Sequence, residues 1–223
     1  MQTLARQLVN FYKQLSPPVL PAGIDILYPQ PDQHVMKVVK LFFEKFYNEN
    51  KPRRLMLGIN PGRFGAGITG VNFTAPRQLK ENCAIDHPWG NSSELSAEFI
   101  YEMITAYGGP ANFYGDYFIG AVSPLGYLKG GKNINYYDDK KLQEAVTPFI
   151  LETIRQQLAM GFATHVCFCI GGEKNYKFLS AINEQYGFFQ KIIPLAHPRF
   201  IMQYRRKRKQ EYIDEWLDAL KRA

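Results

Sequence analysis

The chain is poor in cysteine: Cys83, Cys167 and Cys169 are its only three among 223 residues. A four-thiolate zinc or iron–sulfur centre cannot be built from them, and buried, reduced thiols are the expected state. Long hydrophobic runs are missing as well. None approaches the roughly 18 residues that mark a membrane span, and the amino terminus lacks the apolar core of a signal peptide, so a cytoplasmic protein without membrane contact is expected. No Gly-Lys-Ser/Thr follows the glycines, which excludes a P-loop. Ser123 sits in Val-Ser-Pro-Leu-Gly rather than a Gly-x-Ser-x-Gly elbow. Repeats and low-complexity tracts are absent. Acidic residues are missing from one place in particular, positions 199–209, which hold Arg199, Arg205, Arg206, Lys207, Arg208 and Lys209. Without those six, 21 of the 27 basic residues remain against 20 acidic ones, so almost the whole net charge of +7 resides there. Such a stretch is either the solvated start of a helix or a contact for phosphates.

What is present is organised around Leu55-Met-Leu-Gly-Ile-Asn-Pro-Gly62 and the glycine-rich stretch that follows it to Phe73. The apolar run predicts a buried strand, and Asn60-Pro61-Gly62 ends it. Gly65-Ala-Gly67-Ile-Thr-Gly70 matches the dinucleotide fingerprint literally, yet leads into Phe73-Thr-Ala-Pro76 instead of a helix, so it carries no weight. Three further strands are predicted, at Tyr117–Ser123, Thr164–Ile170 and Lys191–Ala196, the last of them an edge or short strand because of Pro194. Helical spacing marks residues 2–15, His34–Asn48, Ser93–Tyr107 with a serine cap, a helix capped by Asp138 and running to Met160 despite Pro148, a helix to about Tyr186, and Lys207–Arg222. Ser16–Gly23, Thr74–Asn91 and the glycine-rich Gly126–Tyr137 read as connections. The expected architecture is a single α/β domain over 1–223 with a helical region at 1–50. It is a three-layer α/β/α sandwich around a four-stranded, mainly parallel sheet. In such a sheet Asn60, Ser123, the Gly171 turn and His197 all follow strands, and so share one edge.

Gly58-Ile-Asn-Pro-Gly-Arg-Phe-Gly65 followed by Thr69-Gly-Val-Asn-Phe73 resembles the first motif of the single-strand-selective monofunctional uracil-DNA glycosylases, a branch of the uracil-DNA glycosylase superfamily. Leu195-Ala-His-Pro-Arg199 resembles their second motif, and Phe118–Leu125 the strand between. The resemblance implies a monofunctional DNA glycosylase of base excision repair that removes uracil or a modified uracil flipped out of DNA, with no cofactor and no metal. It places Asn60 as the residue positioning the attacking water and His197 as the donor towards the departing base. Phe73 falls on the stacking aromatic, Ile59 on a backbone contact, and Gly62 and Asn72 within the base-binding motif. Lys132 and Asn133 lie near a DNA-contacting segment. Arg199, Phe200, Arg205, Arg206 and Lys207 fall where the family inserts a wedge into the duplex, with Ile201 and Met202 readable as wedge or as core. The family's uracil-reading asparagine corresponds to Ala121, so either Asn72 or Asn133 supplies the missing donor or the preferred base is not plain uracil. DNA, single- or double-stranded, is the expected partner and a monomer the expected state.

Taken singly, these residues have structural readings: an asparagine before proline shapes a turn, and a lone histidine is usually a satisfied one. Only their conjunction points to an enzyme. A catalytically inactive nucleic-acid-binding module on the same fold, and an enzyme acting on free nucleosides or nucleotides, are the alternatives.

Overall fold

The computed structural model describes residues 2–222. Along the chain run α1 (Leu4–Lys13), β1 (Ile24–Leu27), α2 (Gln33–Phe46), β2 (Arg54–Gly58), α3 (Ala66–Thr69), α4 (Pro76–Glu81) and α5 (Leu95–Ala106). They are followed by α6 (Pro110–Asp116), β3 (Tyr117–Ala121), β4 (Gly126–Lys129), β5 (Lys132–Ile134), α7 (Lys140–Ala159) and β6 (Ala163–Ile170). The chain ends with α8 (Glu173–Tyr186), β7 (Ile192–Leu195), α9 (Pro198–Tyr204) and α10 (Lys209–Lys221).

The expected α/β fold is present. Strands β3, β2, β6 and β7 form a four-stranded sheet in that order, every neighbouring pair parallel. Its central strands are apolar on both faces: Leu55, Met56 and Leu57 of β2, and Cys167, Phe168, Cys169 and Ile170 of β6, are all buried. That is the pattern demanded of a parallel sheet covered on both sides by helices. Pro194 stands on β7, the outermost strand, and is solvent-exposed.

The cysteines are free and buried. Burial pushes the Cys83 thiol up to about 11 and that of Cys169 to about 12, which keeps both protonated and unreactive. No helix among the described residues is long and apolar enough to cross a membrane.

Several local expectations are corrected. The 1–50 segment is not purely helical, because β1 pairs antiparallel with β4, and β4 with β5, in a second, three-stranded sheet. The glycine-rich stretch expected to be a loop is therefore a hairpin, turned by Gly130 and Gly131 at φ 57° and 71°, angles that glycine adopts freely. The polar stretch from Thr74 contains α4, with Pro76 in its first turn. Helix α7 is capped by Asp139, whose carboxylate accepts from the backbone N–H of Lys141 and Leu142 at 3.0 and 3.2 Å. Asp138 instead accepts from Asn135 N–H at 2.8 Å. Helix α7 runs through Pro148, and beside it the Thr147 hydroxyl donates to the Gln143 carbonyl at 2.6 Å.

Candidate functional site

The parallel sheet brings three distant segments to one edge. Gly58 and Ala121 are register partners at the ends of β2 and β3, and the pairing continues one step further through Val122 N–H to Gly58 O at 2.8 Å and Ser123 N–H to Ile59 O at 3.1 Å. His197 follows β7 directly. A cleft of about 130 Å³ opens there, lined by Ile59, Asn60, Gly62, Asn72, Phe73, Ala121, Asn133 and His197, with Glu94, Ser96, Asn135 and Arg199 also on its wall. A single water needs about 10–15 Å³ on this measure, so the space admits a group far larger than water.

Asn60 is held on both sides of its amide. Its Nδ2 donates to the carbonyls of Ile134 and Pro61 at 3.3 and 3.4 Å, while Oδ1 accepts from Tyr136 N–H at 3.1 Å. An amide oxygen has two lone pairs, so one remains for a water. Tyr136 is fixed in turn, its hydroxyl donating to Asn175 Oδ1 at 2.7 Å. The hairpin thus sets the orientation of Asn60, and it also grips the glycine loop. Arg63 N–H donates to Asn133 Oδ1 at 3.2 Å, and the Arg63 guanidinium donates to the Gly131 carbonyl.

Phe73 has φ 52°, a left-handed angle that few non-glycine residues adopt. It is kept there by a turn in which the Thr69 hydroxyl bonds to the Thr74 carbonyl at 2.6 Å and accepts from Val71 N–H at 3.1 Å. The strained backbone aims the ring across Gly58, where a Cβ would come within 2.7 Å of the ring edge. Gly58 is therefore glycine because Phe73 occupies its side-chain space. The Phe73 and His197 rings are 6.1 Å apart and tilted by 52°.

His197 caps α9, its Nδ1 accepting from Arg199 N–H at 3.1 Å. The proton of the neutral ring consequently resides on Nε2. Burial, helped by the nearby Arg199, lowers its pKa to about 4, so the imidazole is a neutral donor at neutral pH.

The remaining expected residues divide. Ala121 lies on the wall with no polar side chain. The amide nitrogen of Asn72 is turned to the Tyr12 hydroxyl and the Ile119 carbonyl, at 3.3 and 3.4 Å, so it is not a free donor to the cleft. Asn133 Nδ2 instead lies 3.3 Å from where a side chain at Gly62 would begin. Lys132 is exposed on the hairpin and is not part of the cleft wall; Lys129 pairs with Asp139 at 3.1 Å. Phe200 and Tyr204 project from α9, 42% and 64% exposed, with Arg205 stacked over Phe200 at 5.4 Å. Ile201 and Met202 are buried, where α9 packs on α5, so the core reading holds for them. Arg205, Arg206 and Lys207 are exposed, whereas Arg208 pairs with Glu211 at 2.7 Å and Lys209 with Glu102.

Glu94 escaped the sequence reading. The expected serine cap of α5 is absent: Ser93 exchanges hydrogen bonds with Gln78 at 2.9 and 3.1 Å, and Glu94 stands at the cap position without making a cap bond. Its carboxylate lies instead over the Gly65 backbone, where any side chain would strike it. Burial raises its pKa while Arg199 opposes the rise. No spacing rule points from the glycine loop to a residue thirty positions later, so the signal was not available in the sequence.

The sequence pattern of the Uracil DNA glycosylase superfamily matches residues 44–221. Among solved structures, the crystal structure of wild-type SMUG2 from Pedobacter heparinus is similar over 99% of this chain and 98% of its own, with a TM-score of 0.96 and 47% sequence identity. A search among curated proteins gave no match.

Proposed function

Since this chain belongs to the uracil-DNA glycosylase superfamily, whose members are DNA glycosylases, we propose that it hydrolyses the N-glycosidic bond of uracil, or of a modified uracil, flipped out of DNA. The observation that carries this reading is the meeting of Asn60, Phe73 and His197 around one base-sized cleft at the sheet edge. An enzyme working on a base inside DNA must extrude it, stack it and read its polar edge. Phe73 supplies the stacking face. Asn133 Nδ2 and the backbone around Ile59 and Gly62 supply polar groups, while Ala121 leaves room where an amide would otherwise select one edge pattern.

Breaking the bond places positive charge on the sugar and negative charge on the departing base. Asn60 holds a water through the free lone pair of Oδ1, and its orientation is fixed by Ile134 and Tyr136. His197 donates through Nε2 to the base as charge builds there. A neutral donor suits this role, because it stabilises the anion without first having to gain a proton. No lysine lines the cleft among the described residues, which supports a hydrolytic, monofunctional outcome over a Schiff base. The exposed pair Phe200 and Tyr204, flanked by Arg199, Arg205, Arg206 and Lys207, suits the wedge and backbone contacts that hold an extruded nucleotide. A cytoplasmic monomer acting on DNA completes the proposal.

The test is release of base from oligonucleotides carrying one uracil or one 5-hydroxymethyluracil, single- and double-stranded. Release that collapses in Asn60→Ala and His197→Ala, with both variants folded, supports the reading. Binding without release from any of these substrates would instead favour an inactive nucleic-acid-binding module.

A further inference from the structure

Asn60 can orient a water but cannot accept its proton, and the neutral His197 ring commits Nδ1 to the backbone of Arg199. The hydrolysis proposed above therefore lacks a proton acceptor among the residues that the motifs supply. Glu94 stands on the same cleft wall. It forgoes the helix cap that its position offers, and among the described residues its carboxylate makes no hydrogen bond and no ion pair. It lies over the backbone of Gly65, five residues beyond Asn60, and the missing side chain there keeps the carboxylate's space open. A carboxylate on the cleft wall that is committed to no protein group is free to act on a water there.

We propose that Glu94 is a catalytic residue of this cleft: its carboxylate takes the proton of the water that Asn60 positions. The inference rests on the glycosylase reading. In the step, the water oxygen forms a bond to C1′ of the sugar as the bond from C1′ to the base nitrogen breaks. The bonding pair leaves on the base, beside the Nε2–H of His197. The water's proton passes to Glu94 and is then returned to the released base or to solvent. Before proton transfer, the negative carboxylate also stabilises the positive charge developing on the sugar. Burial strengthens Glu94 as a base. The titratable groups around it are Arg199, charged, and His197, neutral, at the start of α9, and Glu98 on its own helix, which Arg77 neutralises at 2.8 Å. Arg63, on the facing loop, is held by the Gly131 carbonyl.

The experiment is single-turnover base release from a uracil oligonucleotide between about pH 5 and 9, for the wild type, Glu94→Gln, Glu94→Asp and His197→Ala. Binding is measured in parallel, by fluorescence anisotropy, to an oligonucleotide carrying non-hydrolysable 2′-fluoro-deoxyuridine. General-base catalysis typically contributes about 10²–10⁴-fold, so Glu94→Gln is expected to release base about 10²-fold more slowly while binding the probe at least as tightly. It should also lose the acidic limb of the rate profile, which His197→Ala keeps and Glu94→Asp partly restores. A folded Glu94→Gln that stays within about threefold of wild type and retains the limb overturns the proposal. So does a variant whose slower release is matched by equally weakened binding. If the wild type releases no base, the glycosylase reading falls and this role falls with it; an active wild type with an unaffected Glu94→Gln removes Glu94 alone.

Discussion

His197 shows how one side chain is set for a task by its surroundings. Its folded pKa of about 4 lies below the ordinary value of 6.5, so between these values the folded protein binds fewer protons than the unfolded chain. The histidine's contribution to stability is complete above about pH 6.5 and is lost as the pH falls to about 4. An NMR titration of the ring should accordingly show a midpoint near 4, and the melting temperature should fall with acid through this window less steeply in His197→Asn than in the wild type. Replacing His197 with alanine removes the donor to the leaving base. A loss of about 10²–10³ in single-turnover rate is expected, by comparison with the removal of an oxyanion-hole donor. Gly58→Ala tests the packing next to it. Its methyl would stand 2.7 Å from the Phe73 ring, which would have to swing away. We expect weakened binding of the flipped base, read as a raised KM, together with a destabilisation of about 1–3 kcal/mol from overpacking.

At the scale of elements, the β4–β5 hairpin does more than decorate the sheet edge. The backbone at the end of β5 and just beyond it holds both ends of the Asn60 amide, and the turn between the strands grips Arg63. Replacing Gly130-Gly131 by Ala-Ala puts two side chains at left-handed angles, at about 1–2 kcal/mol each. The expected result is a lower melting temperature together with a slower chemical step, because a slack hairpin lets Asn60 rotate. A melting curve and single-turnover kinetics on the same variant separate the two effects. This element was also the one that the sequence concealed. The parallel sheet was readable, since each of its strands is an apolar run cut off by proline or glycine, as at Asn60-Pro61-Gly62 and Gly171-Gly172. The hairpin was not, because Gly126–Ile134 mixes lysine, asparagine and glycine, and its partner β1 spans only four residues. Asn60, Phe73 and His197 were legible for a related reason: each lies in a motif beside a strand end or glycine loop. Glu94 lies in none, and only the packing of α5 against the Gly65 loop reveals it. In the case of α9, helical burial divides the apolar triplet, sending Ile201 and Met202 inward and leaving Phe200 outside.

Over the whole molecule the charge is concentrated beside the cleft. Two of the six clustered cations, Arg208 and Lys209, are engaged by Glu211 and Glu102, which leaves Arg199, Arg205, Arg206 and Lys207 for phosphates. Removing one cation that meets a phosphate should lower the slope of log K against log salt by about 0.7–0.9. A triple Arg205→Ala, Arg206→Ala, Lys207→Ala variant is thus expected to bind oligonucleotides more weakly at low salt and to show a slope flatter by about 2, measured by anisotropy titration, with its fold unchanged. The β7 margin of the sheet has a different property. The outermost strand β7 carries Pro194 facing water, a residue with no amide proton for a fifth strand to receive. An incoming strand from another copy would meet a gap in the ladder at that position, so this margin of the sheet is poorly suited to templating the strand-upon-strand growth from which fibrils form.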